Sequence, residues 1–250
     1  MDKDLQGKIA LITGAGSGIG QAIALLYAAR GAKVVVSDIS EKRGNETLQL
    51  LQNNDAETIF IQADVSRHED CRNLVNKTIA EYGRLDIACN NAGIGGEVNN
   101  ISETSIEEWH KVIDVNLNGV FYCMKYQLAH MEQQGSGAIV NIASILGAVG
   151  LPGSAAYTAS KHGVVGLTQN AALEYSAKGI RINAVAPGFI ETPLLRNMDD
   201  ATRKAVASWH PIGRFGTPNE VAELVVWLSS EKASFVTGAY YPVDGGYLAK

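Results

Sequence analysis

Tyr157 and Lys161 stand four residues apart in the run Tyr157-Thr158-Ala159-Ser160-Lys161, and Ser144 lies a short way upstream. In a helix, side chains four apart share a face, so the phenol and the ammonium sit side by side. A free phenol keeps its proton until about pH 10, too high for a base at neutral pH. A fixed cation beside it favours the phenolate and lowers that value. The pair therefore describes an acid/base device for the proton of an alcohol. Spacing alone is thin support, because the same pair also occurs on solvated helix faces. Other residues must supply something for the pair to act with.

A glycine-rich turn supplies it. Thr13-Gly14-Ala15-Gly16-Ser17-Gly18-Ile19-Gly20 follows a short apolar run, Ile9 to Thr13, and precedes a helical stretch, Gln21 to Arg30. Glycines there let the backbone turn tightly and approach a pyrophosphate, and the helix N-terminus offers free N–H groups. The spacing is Gly-x-x-x-Gly-x-Gly from Gly14, which differs from the G-x-G-x-x-G fingerprint. Asp38 follows the second apolar run, where an acidic residue bonds the adenosine ribose hydroxyls. Its charge repels the extra phosphate of NADP, and Ile39 and Ala15 place no basic residue nearby, so NAD is favoured. The other reading of Asp38 is a cap for the next helix.

The elements that position these residues alternate. Strands are expected at 9–13, 33–37, 58–62, 85–89, 137–141, 181–185 and 239–243, the last an outer strand. Helices are expected at 21–30, 40–53, 66–82, 106–133, 155–177 and 220–229. Ser66 and Glu69 have the spacing of a capping box for the third helix. Nearly all-apolar strands between helices imply one open, doubly wound, mainly parallel seven-stranded sheet flanked by helices, an α/β fold in a single domain over 1–250. Residues 188–216 are the least regular and too long for an ordinary connection, which marks a substrate loop or lid.

Composition narrows the classes. The net charge is −5 with no basic cluster, which argues against nucleic acid as partner. No apolar run approaches the roughly 20 residues needed to span a bilayer, and the N-terminus lacks a signal-peptide pattern. Cys71, Cys89 and Cys123 are widely spaced, as expected of free thiols in a reducing compartment, hence a cytoplasmic protein. No Cys/His spacing suggests a metal site. Ser144 lacks the G-x-S-x-G setting of a serine hydrolase.

Taken together, these motifs resemble the short-chain dehydrogenase/reductase family over essentially the whole chain. Thr13 to Gly20 match its T-G-x-x-x-G-x-G turn, including Gly14, Ser17, Gly18, Ile19 and Gly20. Asp64-Val65 match its D-V pair near the adenine, and Asn90-Asn91-Ala92-Gly93 its N-N-A-G. Asn116 falls at its helix asparagine, Ser144, Tyr157 and Lys161 at its catalytic serine and Y-x-x-x-K, Pro187-Gly188 at its P-G, and Thr192 at its threonine. The resemblance implies a Rossmann-like fold and a hydride transfer between NAD and a secondary alcohol or ketone. Tyr157 would exchange the substrate proton, Lys161 would lower its pKa and bond the nicotinamide ribose, and Ser144 would hold the substrate oxygen. Asn116 would connect Lys161 to solvent through its main chain and a water. Ile190 and Thr192 would meet the carboxamide. The family also implies a homotetramer.

Ile94, Gly95, Ile145, Leu146, Leu151, Phe189, Leu194, Leu195 and Trp209 are the expected pocket wall, with Glu97 near its mouth and His210 within the lid. So apolar a wall suits a moderately apolar, cyclic alcohol. Two alternatives remain: an NADP-dependent 3-oxoacyl-carrier-protein reductase, and a non-catalytic dinucleotide-binding regulator.

Overall fold

The computed structural model describes residues 3–195 and 198–249, without the side chain of Leu194. Its strands are β1 (Ile9–Thr13), β2 (Lys33–Asp38), β3 (Thr58–Gln62), β4 (Ile87–Asn90), β5 (Gly137–Ile142), β6 (Ile180–Pro187) and β7 (Tyr240–Val243). Its helices are α1 (Gly18–Ala29), α2 (Glu41–Gln52), α3 (His68–Tyr82), α4 (Ile106–Ile113), α5 (Gly119–Gln134), α6 (Ala155–Tyr175), α7 (Asp200–Ser208) and α8 (Pro218–Ser229). All seven strands form one sheet in the order β3-β2-β1-β4-β5-β6-β7, and every pairing is parallel. β7 is the outer strand, as expected.

Alternate residues of each strand feed two cores. Ala10 and Ile12 face α1, α2 and α8, where Ile23, Tyr27, Leu51, Val221 and Val225 close the layer. Leu11 and Val35 face the other way, onto Leu74 of α3, Met124 and Leu128 of α5, and Val164 of α6. Both sheet faces are therefore covered, which is why the strands read as apolar runs and not as alternating ones. The strand order reverses between β1 and β4. In open α/β sheets, ligands bind outside the carboxyl ends of the strands at that switch point.

One polar chain crosses the interior. Asn90 donates to Gln127 Oε1 (3.1 Å) and to Asn141 Oδ1 (2.9 Å), Gln127 donates back to Asn90 Oδ1 (2.8 Å), and Asn141 donates to Thr168 Oγ1 (2.9 Å). All four residues are buried. Asn90 and Asn141 face each other in the β4–β5 register. A slip of either strand would leave several buried amides without partners, so the network fixes the register beneath the site.

Two local expectations fail. The helix expected over 106–133 is broken by a π turn, Asp114–Asn118, between α4 and α5. The third helix begins one residue later than its Ser66/Glu69 spacing implies, with Arg67 at its N-cap and no side-chain cap bond. Ser66 is occupied elsewhere: its N–H and its hydroxyl both donate to Asp64 Oδ1, at 3.0 and 2.7 Å. A capping box does form at α8, where Thr217 and Glu220 bond reciprocally and Pro218 occupies the first turn.

Candidate active site

The glycine turn lies between β1 and α1, at the switch point. A Cβ on Gly20 would come within 2.3 Å of the Gly14 carbonyl oxygen and 2.4 Å of Asn91 Nδ2. Gly14 has φ +64°, and a Cβ there would meet Ala92 Cα at 2.8 Å. Asn91 binds the turn from behind, donating from Nδ2 to the carbonyls of Thr13 (2.9 Å) and Gly14 (3.1 Å). The N–H groups of Asn91 and Ala92 donate to Thr13 Oγ1. Ser17 stands extended at the N-cap of α1 and makes no side-chain cap bond, and Ile19 packs into the core behind the turn. The first-turn N–H groups are thus left without a side-chain cap at a helix of 12 residues, with no acidic residue in that turn. This cradle fits the pyrophosphate of a dinucleotide.

Asp38 ends β2 beside the turn and is buried. Its Oδ2 accepts from the Gly16 N–H (2.9 Å), and its Oδ1 from the Ser40 N–H (2.9 Å). Arg43 departs from the sequence expectation. Its guanidinium lies 3.4 Å from Asp38 Oδ1, so a basic residue does stand at this corner. Chain order hides this proximity, because Arg43 sits five residues on, in the first turn of α2, which brings it back over the β2 end. Asp64 is half-buried and closes its carboxylate on Ser66, and Val65 is buried against Cys71 and Cys123.

The chemistry-bearing side chains converge at the ends of β4 and β5. Ser144 follows β5 and Tyr157 lies in the first turn of α6, where the Ser144 hydroxyl pulls the phenol pKa down. The Lys161 ammonium is buried, lies 5.6 Å from the centre of the Tyr157 ring, and donates to the Ile142 carbonyl at 2.8 Å. Asn116 sits in the π turn and is buried. Its Oδ1 accepts from the Ile94 N–H (2.8 Å), and its Nδ2 donates to the Ile94 carbonyl (2.9 Å) and to Ser160 Oγ (3.3 Å). A Cβ on Gly93 would fall 3.3 Å from Asn116 Oδ1 and 3.7 Å from Lys161 Nζ, so this glycine lies between the two. π turns recur at functional sites because they change which main-chain groups are free to bond.

Two positioning residues were not legible in the sequence. Ser160 passes the Asn116 contact on to the Tyr157 carbonyl (2.7 Å). Tyr240 of β7 donates its hydroxyl to the Ser144 carbonyl at 2.8 Å, and burial pushes its own pKa up to about 12. The sheet order brings these last two partners together, and no motif announces it.

Burial acts on both ionising groups. It lowers Lys161 to about 8, which leaves the ammonium charged at neutral pH. It raises Tyr157 above the ordinary phenol value, and the Ser144 hydrogen bond offsets part of that rise. The expected downward pull of Lys161 does not figure among the influences on the phenol, which are desolvation and the opposing Ser144 hydroxyl.

The segment 188–216 is closed at its base by a bridge between Ile190 and Gly216 and contains α7. Pro187 ends β6, and Gly188 donates its N–H to the Val243 carbonyl. Thr192 returns to the glycine turn, its Cγ2 being 3.2 Å from where a Gly18 Cβ would stand. Beside the serine loop is a cleft of about 390 Å³ lined by Val149, Gly150, Leu151, Trp209, Tyr247 and Leu248. Of the expected wall, Leu151 and Trp209 line it, whereas Ile145 and Leu146 are buried beneath. The Leu194 side chain lies outside the described residues. Tyr247 and Leu248 arrive from the far end of the chain, past the turn at Gly245 and Gly246.

A family model described as Enoyl-(Acyl carrier protein) reductase matches residues 14–248. Curated relatives match end to end. The chain belongs to the short-chain dehydrogenase/reductase family. It is 48% identical over 250 residues to a cyclohexanol dehydrogenase of Acinetobacter sp. (strain SE19), covering 100% of this chain and 98% of that one. It is 44% identical over 242 residues to a cis-4-hydroxycyclohexanecarboxylate dehydrogenase of Sinomonas cyclohexanicum, covering 97% of each. Among solved structures, levodione reductase superposes with a TM-score of 0.94 at 40% identity, covering 98% of this chain and 99% of that one. This short-chain dehydrogenase/reductase is accordingly an oxidoreductase of the alcohol–ketone couple.

Proposed function

We propose that the protein oxidises an uncharged, ring-bearing secondary alcohol with NAD. The observation that carries this reading is the convergence of Ser144, Tyr157 and Lys161, with a cleft, partly lined by Val149, Gly150 and Leu151 of the stretch after Ser144, whose six lining residues bear no charged side chain. Apolar walls receive an alicyclic ring, while an unpaired carboxylate there would cost several kcal/mol in desolvation. The relative that acts on cyclohexanol supports this class, whereas the relative that acts on a cyclohexane ring bearing a carboxylate supports only the ring. A bound nicotinamide would supply the acceptor for the hydride. Ser144 and Tyr157 would hold the alcohol oxygen, and Tyr157 would take its proton as base. Lys161, charged at neutral pH, would stabilise the phenolate from below. Asn116 and Ser160 would keep the π turn and the start of α6 in register around the proton path.

The test is a panel of alcohols with purified protein and NAD. Cyclohexanol-type rings should yield NADH, and ring alcohols bearing a carboxylate should react poorly. Tyr157→Phe should cut turnover by about 10²–10⁴-fold and leave NADH binding in place. Failure of every alcohol and ketone with either dinucleotide would sink the reading.

Asp38 supports NAD over NADP, since a carboxylate at the end of β2 would bond the ribose hydroxyls and repel a 2′-phosphate. Arg43 supports a second reading, an NADP-dependent reductase of 3-oxoacyl groups on a carrier protein, because a guanidinium can pair with a phosphate. Tighter binding of NADPH than of NADH in a titration would favour it. The free state of all three cysteines supports a reducing, cytoplasmic setting. No helix among the described residues is long and apolar enough to cross a membrane. Exposed Ile106, Trp109 and Phe121 on α4 and α5, with Leu173 on α6, support a homotetramer assembled through these helices.

A further inference from the structure

His210 is a buried histidine that ties the end of the 188–216 segment back to its start. Only 3% of it is exposed, although it lies just past α7. Its Nδ1 is 3.1 Å from the Val206 carbonyl and its Nε2 is 3.2 Å from the Phe189 nitrogen. A carbonyl accepts and an amide N–H donates, so the ring carries its proton on Nδ1 and offers the Nε2 lone pair to Phe189. Both ring nitrogens are thereby used on main chain, which leaves neither for substrate.

Gly188 makes this approach possible. A Cβ there would lie 2.9 Å from His210 Nε2 and 3.0 Å from Asp244 Cα. The Phe189 ring in turn touches Trp209 (5.7 Å between centres) and Tyr247 (6.4 Å), and the imidazole touches Tyr247 at 5.5 Å. Trp209 and Tyr247 are two of the cleft walls.

We propose that His210 and Gly188 act as one positioning unit that sets the substrate wall. The imidazole fixes the Phe189 main chain, and Phe189 fixes Trp209 and Tyr247. The proposal rests on the alcohol-dehydrogenase reading of the cleft. It also gives the second residue of the Pro187-Gly188 pair a duty distinct from cofactor contact. Loss of the Nε2 acceptor would leave the Phe189 N–H without its partner and let both walls drift, while the glycine turn that would hold the pyrophosphate stays intact.

The experiment compares the unaltered protein with His210→Phe, His210→Gln, Gly188→Ala and the double variant Gly188→Ala/His210→Phe. Steady-state kinetics use NAD and a ring alcohol, NADH affinity is titrated separately, and amide hydrogen exchange at Phe189 is followed without substrate. His210→Phe and Gly188→Ala are each expected to raise KM for the alcohol about tenfold, the effect of stranding one buried N–H. In His210→Phe, turnover number and NADH affinity should stay within about threefold, and the double variant should raise KM no more than either single one. Gln can place its Oε1 near the Nε2 position, so it should restore most of the KM and the Phe189 protection. An unchanged KM in His210→Phe, or a fall in NADH affinity that tracks KM, would overturn the proposal. Equal Phe189 exchange in the unaltered protein and His210→Phe would overturn it whatever the turnover. Absence of turnover in the unaltered protein would instead overturn the reading of the cleft.

Discussion

Tyr157 needs more than a neighbouring cation to lose its proton at neutral pH. Burial raises its pKa, and the Ser144 hydroxyl is the group that pulls the other way. Alcohol oxidation requires the phenolate, so kcat/KM for the alcohol should rise with pH, and for the ketone it should fall. Ser144→Ala removes the lowering contact. Its alkaline limb should therefore move to higher pH, beyond the simple loss of rate, and a profile that keeps its midpoint would deny Ser144 this role. The sequence made Tyr157, Lys161 and Ser144 readable because helical spacing and motif order are local properties. Arg43 and Tyr240 were not readable. Arg43 reaches Asp38 across a strand-to-helix corner, and Tyr240 of β7 reaches Ser144 past the intervening β6. Neither proximity has a signature in chain order.

At the scale of elements, the same four-residue pattern succeeded in one place and failed in another. Ser66 and Glu69 have the spacing of a capping box, yet Asp64 claims the serine first. Thr217 and Glu220 have it too, and there Pro218 and the free Thr217 hydroxyl let the box close. Thr217→Ala should cost about 1 kcal/mol, or roughly 2–4 °C in Tm for a chain this long. Thermal melts of the two alanine variants separate the cases: a Ser66→Ala loss of the same size would have to come from the Asp64 turn and not from helix capping. The break at Asp114–Asn118 was equally hidden. Its residues include no Gly or Pro to mark a break, and only packing of Asn116 onto Ile94 and Ser160 reveals why the ladder shifts.

Over the whole molecule, strand number, parallel direction and the outer place of β7 followed from apolar runs alternating with helices. Strand order and the crossing polar chain did not, because both depend on which distant strands pair. The exposed residues on α4, α5 and α6 bear on assembly. Light scattering should give four times the mass of one chain, and Phe121→Glu, at 47% exposure, should lower that mass while leaving each chain folded. A persistent four-chain mass in that variant would place the contact elsewhere. The Tyr240 hydroxyl on the Ser144 carbonyl ties the outermost strand to the serine loop. Fraying of that sheet edge would therefore be felt as slack at the group that holds the alcohol oxygen.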